Sequence, residues 1–269
     1  MVVAAASTTQ TENENIMFIR ILLIAVFLLF SANSFAQTQG EYDTAVKNWA
    51  YVLENYVDEE GRTDFKRLSN QLSELQQVVD FIASTSPRTH PDLFPTADAV
   101  LAYHINTYNA LAMYGVINKG IPKGFTSLFS RAAFFKFRRV VIGNKKTNLY
   151  DYENKVIRPL GDARSHFALN CMVKDCPRLP QTPFTEQGLN EQLDKVAWEF
   201  FSKPKHFYLN ADKKIAFVSA ILKFYTKDFV KSGKTKHLAQ YINNYLNEPV
   251  PSDYKIKYID YDWRINKQP

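Results

Sequence analysis

The chain has 269 residues and a mass of 31.0 kDa, with 46% hydrophobic and 22% charged side chains, a globular balance rather than a disordered or collagenous one. Nine Gly and twelve Pro exclude low complexity, and a net charge of +6 with a sequence pI of about 9.1 makes the protein mildly basic. Two Cys exclude a knottin-like disulfide framework, a multi-Cys zinc array and a ferredoxin cluster.

Residues 1–16 are small and polar without periodicity, and read as a non-native extension ahead of a start at Met17. Arg20 then leads into the uncharged apolar run Ile21–Phe30, and Ser34 and Ala36 occupy the small-residue positions of a signal-peptidase site. The run is too short for a membrane span, which needs about 20 residues. The expectation is a signal peptide over 17–36, a single domain over 37–269, a periplasmic or secreted location, and no stable membrane span after cleavage.

Tyr42, Ala45, Trp49, Val52, Leu53 and Tyr56 recur at helical spacing, and a second helix is expected from Asp64 to about Ile82. Thr96 caps a third helix, Ala97 to about Asn118, stopped by Gly120 and Pro122 and apolar on nearly every face, hence central. Gly143-Asn144 signals a hairpin between strands over 135–142 and 146–149. A short helix over 150–157, a helix around Leu189–Phe201 and a second hairpin, His206–Leu209 with Ile215–Val218, follow. Two helices over 220–230 and 235–246 and a closing strand over 254–265 complete the chain. Helices mixed with hairpins, without βαβ spacing, predict an α+β fold, a helical lobe on a small antiparallel sheet. The basic residues form only local knots, such as 136–139 and 203–205, and no nucleic-acid motif is present, so no nucleic-acid partner is expected.

Two stretches carry more polar function than a fold needs. Asn106 and Asn109 lie one turn apart on the apolar third helix, where each either ties down neighbouring backbone or lines a site as an oxyanion donor. The segment 162–177 holds both cysteines and His166. A Cys171–Cys176 disulfide, a Cys171 thiolate activated by His166, and a metal site on His166, Cys171 and Cys176 are the three mechanisms in play. The metal site has no evident fourth ligand, and Glu153 is the nearest acidic residue outside the cluster that could orient the imidazole.

The block Tyr103-His104-Ile105-Asn106-Thr107-Tyr108-Asn109-Ala110-Leu111, with Asp162-Ala163-Arg164-Ser165-His166-Phe167-Ala168-Leu169-Asn170-Cys171 and Asp175-Cys176-Pro177, resembles the family catalogued as domain of unknown function 547. Residues 218–225 and 261–266 also fit it. The resemblance implies a papain-like or transglutaminase-like thiol enzyme in a permuted arrangement, with Glu153, His166 and Cys171 as triad, Asn106, Asn109 and Asn170 around the substrate, and no cofactor. His104 stands where the family has Trp, and Asn154 where it has His. The expected substrate is a peptide, protein or cell-wall amide or ester. The other reading is a non-catalytic, protein-binding periplasmic module with a structural Cys171–Cys176 disulfide.

Overall fold

The computed structural model describes residues 38–269, so the expected extension and signal segment lie outside the described residues. Among the described residues, 38–44 are helical and fall in a first unit, and Ala45–Pro269 form a second, compact one. The second unit opens with helical residues 45–56, α1, which bury Trp49, Val52, Leu53 and Tyr56.

The single helix expected from Asp64 to Ile82 is two: α2 (Phe65–Asn70) and α3 (Ser73–Ser84). Asp64 caps α2 by accepting the Arg67 N–H at 3.0 Å. The chain leaves helical geometry at Gln71, whose side chain accepts the Tyr56 hydroxyl, and restarts at Ser73. Periodicity could not show this break because α2 and α3 bury the same apolar series, from Phe65 and Leu68 to Leu75, Val78 and Ile82.

α4 (Ala97–Asn118) runs as expected between its stops. Thr96 accepts the Ala99 N–H at 3.1 Å, and the Gly120 and Ile121 N–H groups close back on Ile117 and Val116. Its residues from Ala99 to Val116 are buried on almost all sides, so α4 is the axle on which the other helices pack.

α5 (Leu128–Ala132) is followed by a π-helical turn, Ala133–Phe137, where a strand is expected; Phe134 is buried there against Phe125. The hairpin is confined to β1 (Val140–Ile142) and β2 (Lys145–Thr147). Gly143 and Asn144 both have positive φ, at 53° and 63°, which matches the primed turn that Gly-Asn favours. α6 (Leu149–Tyr152) continues into a second π turn, Glu153–Ile157. Such wide turns break the regular helical ladder and often mark functional sites.

α7 (Leu189–Ser202) packs Phe200 and Phe201 into the core. β3 (Phe207–Asn210) and β4 (Ile215–Ser219) make the second hairpin. The expected helix over 220–230 is divided at Tyr225 into α8 (Ala220–Phe224) and α9 (Thr226–Phe229). α10 (Leu238–Ile242) follows, and β5 (Lys255–Ile259) closes the sheet in the order β3-β4-β5.

The fold is α+β, with the helical part and small sheets that the pattern predicts. One correction concerns the sheet. β5 pairs parallel to β4, so this sheet is mixed rather than antiparallel. The helices between the two strands form a crossover long enough for a parallel return. Beyond β5 the chain is held by short bridges, Gly124 to Arg264 and Val173 to Ile265. Gly124 is required at the first: a Cβ there would lie 2.7 Å from Arg264 Cα. Among the described residues no helix is long and apolar enough to cross a membrane.

Candidate functional site

The Cys-bearing loop is shaped by two of the asparagines singled out above. Asn109, buried on α4, donates to the Ala168 carbonyl at 3.0 Å and accepts the Asn170 N–H at 2.7 Å. Asn170 donates to the Pro177 carbonyl at 2.6 Å and accepts the Met172 N–H at 2.7 Å. These bonds turn the chain sharply enough to put Met172 at φ 65°, a conformation a Met side chain adopts at a cost. Asn106 is occupied elsewhere: it donates to the Phe184 carbonyl and accepts from the Phe184 N–H and the Trp49 indole. All three amides therefore hold structure together, and none lines the cavity described next.

That cavity, of about 580 Å³, lies within the second unit. The two π turns, the His–Cys loop, α8 and the C-terminal segment surround it. Glu153, His166 and Cys171 all line it, together with Cys176, Arg158, Tyr225, Tyr261 and Trp263. The three expected triad residues thus share one cavity, but their mutual bonding differs from the expected chain.

Cys171 and Cys176 are joined in a disulfide, with Cα atoms 6.2 Å apart. The Cys171 N–H also points at the Cys176 sulfur at 3.0 Å. The Tyr261 hydroxyl lies 3.5 Å from Cys176 Sγ and 3.8 Å from Cys171 Sγ.

His166 sits on a one-turn 3-10 helix, Ala163–Phe167, whose start is capped by Asp162. Its ring is stacked on Tyr225 at 4.0 Å and tilted against Phe229, with only 2% of the side chain exposed. Its Nε2 bonds Asp228 Oδ2 at 2.8 Å. Asp228 also receives Arg158 in a two-pronged pair, Nε to Oδ2 at 2.6 Å and Nη2 to Oδ1 at 2.8 Å. Burial works against the Asp228 charge, but the bonds from Arg158 and His166 outweigh it and hold the carboxyl well below the usual range. The carboxylate on the imidazole is therefore Asp228, not Glu153.

Glu153 instead accepts from the hydroxyls of Tyr108, at 3.3 Å, and Tyr225. Desolvation raises its pKa, while Tyr225, His166, Tyr108 and Arg158 pull the other way. Burial, reinforced by that carboxylate, pushes Tyr108 and Tyr225 well above the ordinary phenol range, so both remain donors at neutral pH.

Asp228, Arg158 and Tyr261 were not reached from sequence. Asp228 is 62 residues from His166 and has no motif around it. Tyr225 and Tyr261 fall in the family-like blocks 218–225 and 261–266, which offered the one available signal. Among the described residues no group of three or more His, Cys, Asp or Glu side chains is placed to hold a metal ion.

Residues 94–201 match the family described as "Protein of unknown function, DUF547". The matched span carries α4, both π turns and the His–Cys loop, and ends within α7. No curated protein and no solved structure matches the chain.

Proposed function

We propose a thiol-dependent function for this chain, whose residues 94–201 match the DUF547 family. The cavity is read as the active site of an exported hydrolase or acyltransferase acting on an amide or ester. Cys171 is its nucleophile, latent in the disulfide; His166 is its base; Asp228 holds the imidazole. One observation carries the reading: His166, bonded to the Asp228 carboxylate behind it, and the bridged Cys171 line the same cavity.

A dithiol reductant first converts the disulfide into two thiols and is itself oxidised to a disulfide. His166 has Nε2 committed to Asp228, which leaves Nδ1 to take the Cys171 proton. The thiolate adds to the carbonyl, and Tyr261, protonated because burial raises its pKa, supplies an O–H toward the oxyanion. Collapse expels the amine or alcohol, which leaves with the proton from His166. Water or an acceptor nucleophile then releases the acyl group and restores the thiol. Glu153 holds Tyr225, the ring on which His166 stacks. These are the roles of papain-like enzymes in another chain order. Export rests on the features at 17–36, and the substrate class on the family resemblance.

A second reading, a non-catalytic module that binds a protein or peptide, is favoured by the disulfide itself, since neither cysteine is free. Iodoacetamide labelling with and without a phosphine reductant separates the two. The thiol reading predicts no labelling of the oxidised protein. After reduction it predicts modification of Cys171 well below pH 8.5, about where a free thiol ionises, and loss of that low-pH labelling in His166→Ala. Labelling with an ordinary thiol profile in both proteins would leave the binding module standing.

A further inference from the structure

The three most exposed large hydrophobic side chains among the described residues are Leu128 at 79%, Phe129 at 78% and Phe137 at 67%. All three fall on one short stretch, α5 and the π turn after it. The stretch forms one rim of the cavity, to which Leu128, Arg131, Phe135 and Lys136 contribute. Its inner face is fixed: Phe134 is buried on Phe125, and Arg131 lies over Trp263 at 4.7 Å while donating to the carbonyls of Phe125 and Thr126. The apolar tips therefore project from an anchored element. Tyr150, itself exposed, extends the rim under Lys136, whose ammonium lies 4.3 Å from its ring.

Charge identifies the partner. Between Asp98 and Asp151 the chain has no Asp or Glu, and it carries eight Lys and Arg from Lys119 to Lys146. Lys136 and Arg139 are exposed beside Phe137. The next carboxylates along the chain are already engaged, Asp151 by Lys155 at 3.1 Å and Glu153 inside the cavity. A lone apolar patch would fit many partners, but exposed Leu and Phe tips interleaved with an excess of cations, Arg139 among them although it also faces Asp151, match the boundary of an anionic bilayer. There the rings enter the acyl region and the cations meet headgroup phosphates.

We propose that the rim formed by 128–139 docks peripherally on an anionic lipid surface. The docked rim sets the cavity mouth at the membrane, whatever chemistry the cavity performs. Each cation near the surface strengthens partitioning by about fivefold, and salt screens that share.

The test is sedimentation of the full chain with vesicles of phosphatidylcholine alone and of phosphatidylcholine with phosphatidylglycerol. Two variants are compared, Leu128→Ser/Phe129→Ser/Phe137→Ser and Lys136→Glu/Arg139→Glu. Residues 21–30 are common to all forms, so differences report on the rim. The proposal predicts binding to the anionic vesicles about tenfold or more above the neutral ones, weakening in about 0.5 M salt. It predicts a loss of about tenfold or more in each variant, with circular dichroism and Tm near wild type. Equal binding to both vesicles overturns it, as does wild-type binding by the apolar variant. Binding to heparin but to no vesicle also overturns it and identifies an anionic polymer instead. The salt and headgroup dependence of the unmodified chain decides the matter should a variant fail to fold.

Discussion

Lowering the pH from 7 to 4 should cost this fold about 6 kcal/mol of stability through two buried histidines outside the cavity. His104 lies on α4, with Nδ1 against the Tyr152 hydroxyl, and burial lowers its pKa to about 4. His206 is stacked on Phe200 at 3.9 Å, and its Nδ1 is buried without a hydrogen-bond partner. Burial, assisted by Lys205 and Lys203, lowers its pKa to about 2. Between these values and the ordinary histidine value the unfolded chain binds more protons than the native one. The stabilising contribution is therefore complete above about pH 6.5 and is lost as pH falls toward the folded values. At pH 5.5 the two together remove about 3 kcal/mol, and at pH 4 about 6 kcal/mol, against a typical total of about 5–15 kcal/mol. Glu153, with a raised pKa, acts in the opposite sense, but it is common to every form compared. Urea unfolding of wild type and His104→Phe/His206→Phe at pH 7, 5.5 and 4 measures the difference. The double variant should lose less stability on acidification by those amounts. An identical pH loss in both proteins would refute the assignment of buried, neutral histidines.

Asn109→Ala should destabilise the chain by about 2–3 kcal/mol in urea unfolding, because it strands the Ala168 carbonyl and the Asn170 N–H in a buried loop. After reduction it should also lower the rate of Cys171 alkylation, since the loop that presents the cysteine loses its anchor. Gly143→Ala should cost about 1–2 kcal/mol in the same assay: φ is 53° there, and a Cβ would run into Ser86. Gly161→Ala, also at positive φ but in open space, should cost less.

The elements legible in the sequence are those whose ends carry their own chemistry. α4 announces both ends, through Thr96 and Gly120, and the first hairpin announces its turn through Gly143 and Asn144. The breaks at Gln71 and Tyr225 have no Pro or Gly, and each falls inside a continuous apolar series, so periodicity reads straight through them. The π turns are likewise invisible, because one extra residue in a helical turn hardly disturbs a short hydrophobic pattern. At the site, the clustering of His166, Cys171 and Cys176 was local and could be read directly. The partner of His166 could not: Asp228 reaches it from α9, a four-residue helix whose position depends on the whole chain between them. Glu153 was the expected orienter because it lies near in sequence, yet its π turn aims it at two tyrosines.

In the proposed function His166 and Asp228 activate the Cys171 sulfur. The most direct measurement is the ultraviolet thiolate titration of Cys176→Ser, in which Cys171 is the sole cysteine and needs no reduction. The account predicts an apparent Cys171 pKa below about 7.5 that rises by about one unit or more in the added His166→Gln and Asp228→Asn backgrounds. A Cys171 pKa near 8.5 that neither substitution moves would contradict it.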